Sequence, residues 1–149
     1  MLNKFNTKIY ADGADLQSIE RLSYSPSILG FTTNPSLMRS AGVQDYVAFA
    51  HAAIKLIGDK PISFEVFADT PDEIIEQSLE IASWGPNVYV KVPVTNTSGA
   101  STCSILKILA KNNVKLNITA VFTLEQVKTI VDHLNDTCLL YTSPSPRDS

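Results

Sequence analysis

The sequence predicts a parallel α/β fold, and three observations predict it. Short β-branched runs alternate along the chain with stretches of helical period. Two helix starts carry reciprocal capping signals, Thr70 with Glu73 and Thr123 with Gln126. Each proposed strand ends in a polar residue on one face, and the carboxyl ends of strands are where parallel α/β proteins bind ligands. Strict alternation of strand and helix implies right-handed crossovers and a parallel sheet, either open and doubly wound or closed as a (β/α)8 barrel. Neither GxGxxG nor GxxxxGKS/T follows the first strand, so the nucleotide-binding fingerprint of a doubly wound sheet is missing and closure gains weight.

In order, the first strand is KIYAD (8–12), and a helix follows over 16–22. The second strand is ILGFTTN (28–34), and Val47, Ala50, Ile54 and Ile57 recur at helical spacing after it. ISFEVFA (62–68) is the third strand. Its helix opens at Thr70, with Pro71 at the first helical position and Glu73 completing the box ahead of Ile74, Ile75 and Leu79. Trp84 and Pro86 end that helix, and NVYVKVPV (87–94) is the fourth strand. A weaker helical pattern covers 105–109. VKLNITA (114–120) is the fifth strand, and behind the Thr123 box Val127, Ile130, Val131 and Leu134 form the apolar stripe of a helix lying on a core.

At 149 residues, 44% hydrophobic and 18% charged, the chain has the composition of one globular domain. Its net charge of −3, with no basic run, argues against nucleic acid as a partner. The first residues lack an apolar core of the signal-peptide type, and nowhere do about 18 uncharged apolar residues follow one another. A cytoplasmic protein with no membrane association is expected. Cys103 and Cys138 are too few and too irregularly placed for a disulfide framework or a zinc site, so both are read as free thiols. His51 and His133 lie on helical patterns without a second ligand type nearby and are placed at the surface or rim. Asp15, Asp69 and Asp72 fall at helix starts, where capping and the macrodipole account for acids. No metal site is expected. Residues 1–137 are assigned to the fold. The last dozen, CLLYTSPSPRDS (138–149), carry no strand or helix period and read as a disordered or artefactual tail.

The fourth strand raises the chemical question. Lys91 stands in VYVKVPVT (88–95), a run that otherwise reads as buried strand. Residues two apart share a face, so Lys91 goes with Tyr89, while Val88, Val90 and Val92 point towards the covering helices. The same count brings Asp12, Asn34, Glu65, Asn117 and Thr119 to the matching face at the ends of the other strands. Burial among Val, Tyr and Pro is expected to disfavour the cation, and an amine in its neutral form attacks a carbonyl to form a Schiff base. The protonated imine is then the electron sink when a neighbouring carbon–carbon bond breaks, so no cofactor is required. Glu65 with Thr119 could hold a water, and Asp12 could take the proton of the hydroxyl next to that bond. The structural alternative is an ion pair of Lys91 with Asp12 or Glu65.

ADGAD (11–15), GFTTNPS (30–36), FEVFADT (64–70), YVKVPVT (89–95) and LNITAVFT (116–123), in this order and spacing, resemble the transaldolase and fructose-6-phosphate aldolase family of class I aldolases. The resemblance covers roughly residues 8–134. It implies a (β/α)8 barrel with Lys91 as the Schiff-base residue on strand four, Asp12 as acid and base, Glu65 and Thr119 as the pair on the catalytic water, and Asn34, Asn117 and Thr33 as substrate-binding groups. Glutamate at 65 is similar to the transaldolase branch, which transfers a dihydroxyacetone unit between sugar phosphates in the pentose phosphate pathway. The alternatives are simple aldol cleavage of a sugar phosphate and a non-catalytic fragment. A closed barrel typically needs ~250 residues. The expectation is therefore a partial TIM barrel of about five βα units, with strands six to eight missing and little activity from the 149-residue polypeptide by itself. A homo-oligomer is left open.

Overall fold

The β-branched runs become strands and the capped stripes become helices. The computed structural model describes residues 7–134 and 139–141. The elements are β1 (Ile9–Asp12), α1 (Leu16–Ser23), β2 (Ile28–Thr32), α2 (Pro35–Ser40), α3 (Tyr46–Ile57), β3 (Ile62–Glu65), α4 (Pro71–Ser83), β4 (Val88–Pro93), α5 (Cys103–Lys111), β5 (Leu116–Thr119), α6 (Leu124–Leu134) and β6 (Leu139–Tyr141). The strands lie in one sheet in chain order, with parallel pairing of β1 to β2, β2 to β3 and β4 to β5. Five strands each followed by helix are the βα units of a partial (β/α) barrel, as the alternation predicts.

Two elements depart from the expectation. A short strand, β6, pairs in parallel with β5 inside the segment read as tail, with Leu116 opposite Leu139 and Ile118 opposite Tyr141. A strand of three residues is too short to carry a period, and the edge of β5 offers its backbone groups regardless of side chain. The remainder of that reading, at 138 and 142–149, lies outside the described residues, and so does Cys138. The second departure is α2, which begins at the residue taken as a strand end. Asn34 is its N-cap, its Oδ1 accepting from Leu37 N at 2.8 Å with Pro35 at the first position. Asparagine followed by proline is a helix-start signal in its own right.

The chain divides into two compact units, Met1–Glu65 with Trp84–Val88, and Val66–Ser83 with Tyr89–Ser149. In the first, Asp15 caps α1 through Gln17 N and Ser18 N, and Asp45 caps α3 through Ala48 N. Helices α1 and α3 pack together, and Phe31, Ile62, Phe64, Ala50 and Ala53 are buried. Tyr46 and Trp84 meet Phe64 edge-on at ring separations of 6.1 and 5.5 Å. Trp84 thus follows the end of α4 and anchors in this core. Its neighbour across the rings is His51, exposed at 6.1 Å. Gly30 passes so close to the Tyr10 ring and Pro61 that a Cβ has no room.

In the second unit α4 packs on α5 and α5 on α6, over a core of Val90, Val92, Leu106, Leu109, Leu116, Ile118 and Ile130. Full burial of each such side chain is worth about 1.5–3 kcal/mol. Of the two expected capping boxes, the one at α6 has the reciprocal bonds. Gln126 Oε1 accepts from Thr123 N at 3.0 Å while Thr123 Oγ1 accepts from Gln126 N at 3.1 Å, the reciprocal arrangement. At α4 the Thr70 hydroxyl instead donates directly to the Glu73 carboxylate. His133 is exposed, its Nδ1 2.7 Å from Thr129 O. Cys103 is a buried free thiol. Among the described residues no helix is long and apolar enough to cross a membrane.

Candidate active site

Burial along β4 alternates strictly: Val88, Val90 and Val92 are buried, whereas Tyr89, Lys91 and Pro93 are half-buried. This is the period of a strand with its valines under helices and its lysine on the other face. Parallel register sets Lys91 opposite Asn117 and Pro93 opposite Thr119. Neighbouring strands lie about 4.8 Å apart, so Lys91, Asn117 and Thr119 stand side by side on one face of β4 and β5. Asn117 and Thr119 are almost fully buried, at 3% and 7% exposure, so polar groups are held in a largely dry layer. On the other side, the Lys91 carbonyl accepts from Val66 N at 3.1 Å. Lys115 lies over the Tyr89 ring at 5.7 Å.

The first unit carries the remaining candidates. Asp12 is in register with Thr32, and Thr32 with Ser63. Glu65, two residues beyond Ser63, returns to the same face. Asp12 is exposed at the end of β1, and Glu65 is half-buried. The backbone carbonyl of Glu65 accepts from the Tyr46 hydroxyl at 2.9 Å. Burial, reinforced by the charge of Glu65, pushes that hydroxyl well above its ordinary value. Thr33 is turned the other way. It is fully buried, and its hydroxyl and N–H both donate to Ser63 O, at 3.3 and 3.1 Å. Asn34 spends its carbonyl oxygen on the α2 cap.

Asp69 departs from the reading as a cap. Its carboxylate accepts from Thr97 N at 2.8 Å and from the Thr97 hydroxyl at 2.6 Å, tying the segment after β3 to the loop after β4. These two bonds hold its carboxyl below the usual carboxylate value. Gln77 of α4 braces the same segment, its Oε1 accepting from Phe67 N and Ala68 N. Sequence reasoning missed both. The available signal was the cluster of Asn, Thr, Ser and Gly over 95–101, a loop rich in groups that bond to backbone.

These observations first define a class: an α/β protein of the barrel type whose strand ends carry polar groups, one of them an amine. The Transaldolase/Fructose-6-phosphate aldolase family model matches residues 9–144. The chain is 34% identical over 119 residues to a probable transaldolase of Dehalococcoides mccartyi. It is 35% identical over the same length to one of Streptococcus agalactiae and 34% to one of Streptococcus pyogenes. Each alignment covers 80% of this chain and 53% of the relative, so the chain spans about half the length of the curated relatives it matches. The chain belongs to the transaldolase/fructose-6-phosphate aldolase family.

Proposed function

We propose that this segment supplies the Schiff-base half of a transaldolase, an enzyme that moves a dihydroxyacetone unit from a ketose phosphate to an aldose phosphate. The observation that carries the reading is the position of Lys91, on the half-buried face of β4 and in register with Asn117. The curated relatives named as probable transaldolases support it. The Lys91 amine adds to the ketose carbonyl, and loss of water gives the iminium. Asp12 takes the proton of the hydroxyl on the β carbon, the second carbon from the iminium, across the bond to be cleaved. The carbon–carbon bond then breaks, its electron pair passing into the iminium to leave an enamine on Lys91 and release an aldehyde. Addition of the enamine to the acceptor aldehyde and hydrolysis of the new imine complete the transfer. Glu65 and Thr119 hold the water that enters at hydrolysis and receive and return its proton. Asn34 and Asn117 orient the substrate, and Thr33 contributes through the strand end it fixes. The iminium is the electron sink, so the reading requires no cofactor. The corresponding setting is the cytoplasm and the pentose phosphate pathway.

The test is borohydride reduction in the presence of fructose 6-phosphate, on the gene product at its full natural length. We expect a stable adduct on the peptide containing Lys91 and none in Lys91→Arg, because arginine stays protonated and cannot attack. Full adduct formation in the variant would refute the reading. Product analysis with and without erythrose 4-phosphate separates transfer from plain aldol cleavage.

A further inference from the structure

Lys91 sits two residues before the end of β4, so whatever fixes the strand end and the loop beyond it fixes the direction of its side chain. The loop over 95–101 is closed on itself. Asn96 N donates to Ala100 O, Asn96 Oδ1 accepts from the Ser98 hydroxyl and Ala100 N, and Thr95 bridges to Ser101. The turn passes through Gly99 at φ +83°, a conformation that favours glycine. Its return is tied to the strand by Thr102, whose hydroxyl donates to Pro93 O at 2.6 Å and whose N–H donates to Val94 O at 3.0 Å. Its outer end is tied to the segment after β3. Asp69 accepts both bonds from Thr97, and Asn96 Nδ2 donates to Asp69 O at 3.3 Å. That segment is itself pinned to Lys91, since Val66 N donates to the Lys91 carbonyl at 3.1 Å. Asp69 therefore closes a circuit that starts and ends at the lysine backbone: Lys91, Val66, Asp69, Thr97 and back along the chain.

We propose that Asp69 is a positioning residue for the Schiff-base lysine, acting through Thr97 to hold the loop at 95–101 and the end of β4 in the geometry from which Lys91 reacts. The proposal rests on the reading of Lys91 given above. Its physical content is that the amine must meet the carbonyl in a near-attack arrangement, and small displacements of a reacting group cost rate steeply, up to about a hundredfold per ångström. Both hydrogen bonds of the Asp69 carboxylate go to Thr97, so its proposed effect on the amine is indirect. Its removal lowers the rate of imine formation while leaving substrate affinity in place.

The test compares Asp69→Ala, Thr97→Val and Thr97→Ser with the parent, on the gene product at its full natural length and well below its melting temperature. The readouts are the rate of borohydride trapping on Lys91, kcat and KM. Asp69→Ala is expected to slow trapping and kcat roughly tenfold or more with KM within about twofold. Thr97→Val keeps the N–H donor and loses the hydroxyl, so it gives a smaller loss in the same direction. It also keeps the experiment decisive if Asp69→Ala fails to fold. Thr97→Ser retains both donors and restores the parental rate. Parental trapping rates in Thr97→Val and Asp69→Ala, alongside a blank Lys91→Arg control, would overturn the positioning role alone. An adduct that persists in Lys91→Arg would overturn the Schiff-base reading and this proposal with it.

Discussion

Thr33 and Asn34 adjoin in GFTTNPS (30–36), and their side chains have unlike tasks. The Thr33 hydroxyl is committed to Ser63 O in a fully buried position. Thr33→Val removes that bond with little change of shape, leaving one lone pair of Ser63 O without its second donor while Thr33 N remains. We expect a loss of about 0.5–1.5 kcal/mol in urea unfolding. A rise in KM without loss of stability would instead show a substrate contact. The acid at position 69 makes a pH test available. Its two bonds from Thr97 hold the folded carboxyl below the ordinary value of 3.8. A depressed folded value contributes stability above the unfolded value and loses it as pH falls through the folded one. The difference in melting temperature between the parent and Asp69→Asn should therefore be constant above about pH 5 and shrink progressively below 3.8. Asp15, lowered by its bonds to Ser18 and Gln17, behaves in the same sense in the same range, so the comparison is made as a difference from Asp69→Asn.

Elements were legible in proportion to the length of their pattern. The helix at α6 forms where expected behind a complete box, with Ile130 and Leu134 of its stripe buried and Val127 and Val131 exposed. The alternation in β4 is plain because three valines mark one face and Lys91 the other. The α2 helix was hidden because its six residues are too few for a period, leaving only Asn34 and Pro35 to announce it. For β6, with three residues, nothing in the pattern could have done so. The box at α6 can be tested as a unit. Gln126 Oε1 accepts from Phe122 N at 2.7 Å as well as from Thr123 N, so Gln126→Ala strips two backbone donors at once. A cost of about 0.5–2 kcal/mol in denaturant unfolding is expected, with Gln126→Glu close to the parent because its carboxylate accepts the same bonds. An unchanged midpoint in Gln126→Ala would mean that water replaces the box without loss.

For the molecule as a whole, the sequence revealed which residues share a face and not how the connecting loops brace them. Period-two counting suffices for Lys91, Asn117 and Thr119, because polar residues alternate with apolar ones along β4 and β5 and the register sets Lys91 opposite Asn117. The Asp69–Thr97 tie joins positions 28 apart through irregular backbone, where no period exists to be read. The strand order bears on how a polypeptide of these 149 residues behaves by itself. Among the described residues β1 has a neighbour only in β2 and β6 only in β5, so both are edge strands. Exposed apolar side chains stand near the second of these in the chain, with Leu124 at 80% and Phe122 at 54% exposure and Val127 and Val131 about two-fifths exposed. Open edges and uncovered apolar residues favour association between copies. A closed barrel also typically needs ~250 residues. We therefore expect the 149-residue polypeptide to associate with rising concentration in light scattering and to show little transfer from fructose 6-phosphate. A monodisperse monomer with robust transfer would mean that these strand ends suffice without a closed sheet around them.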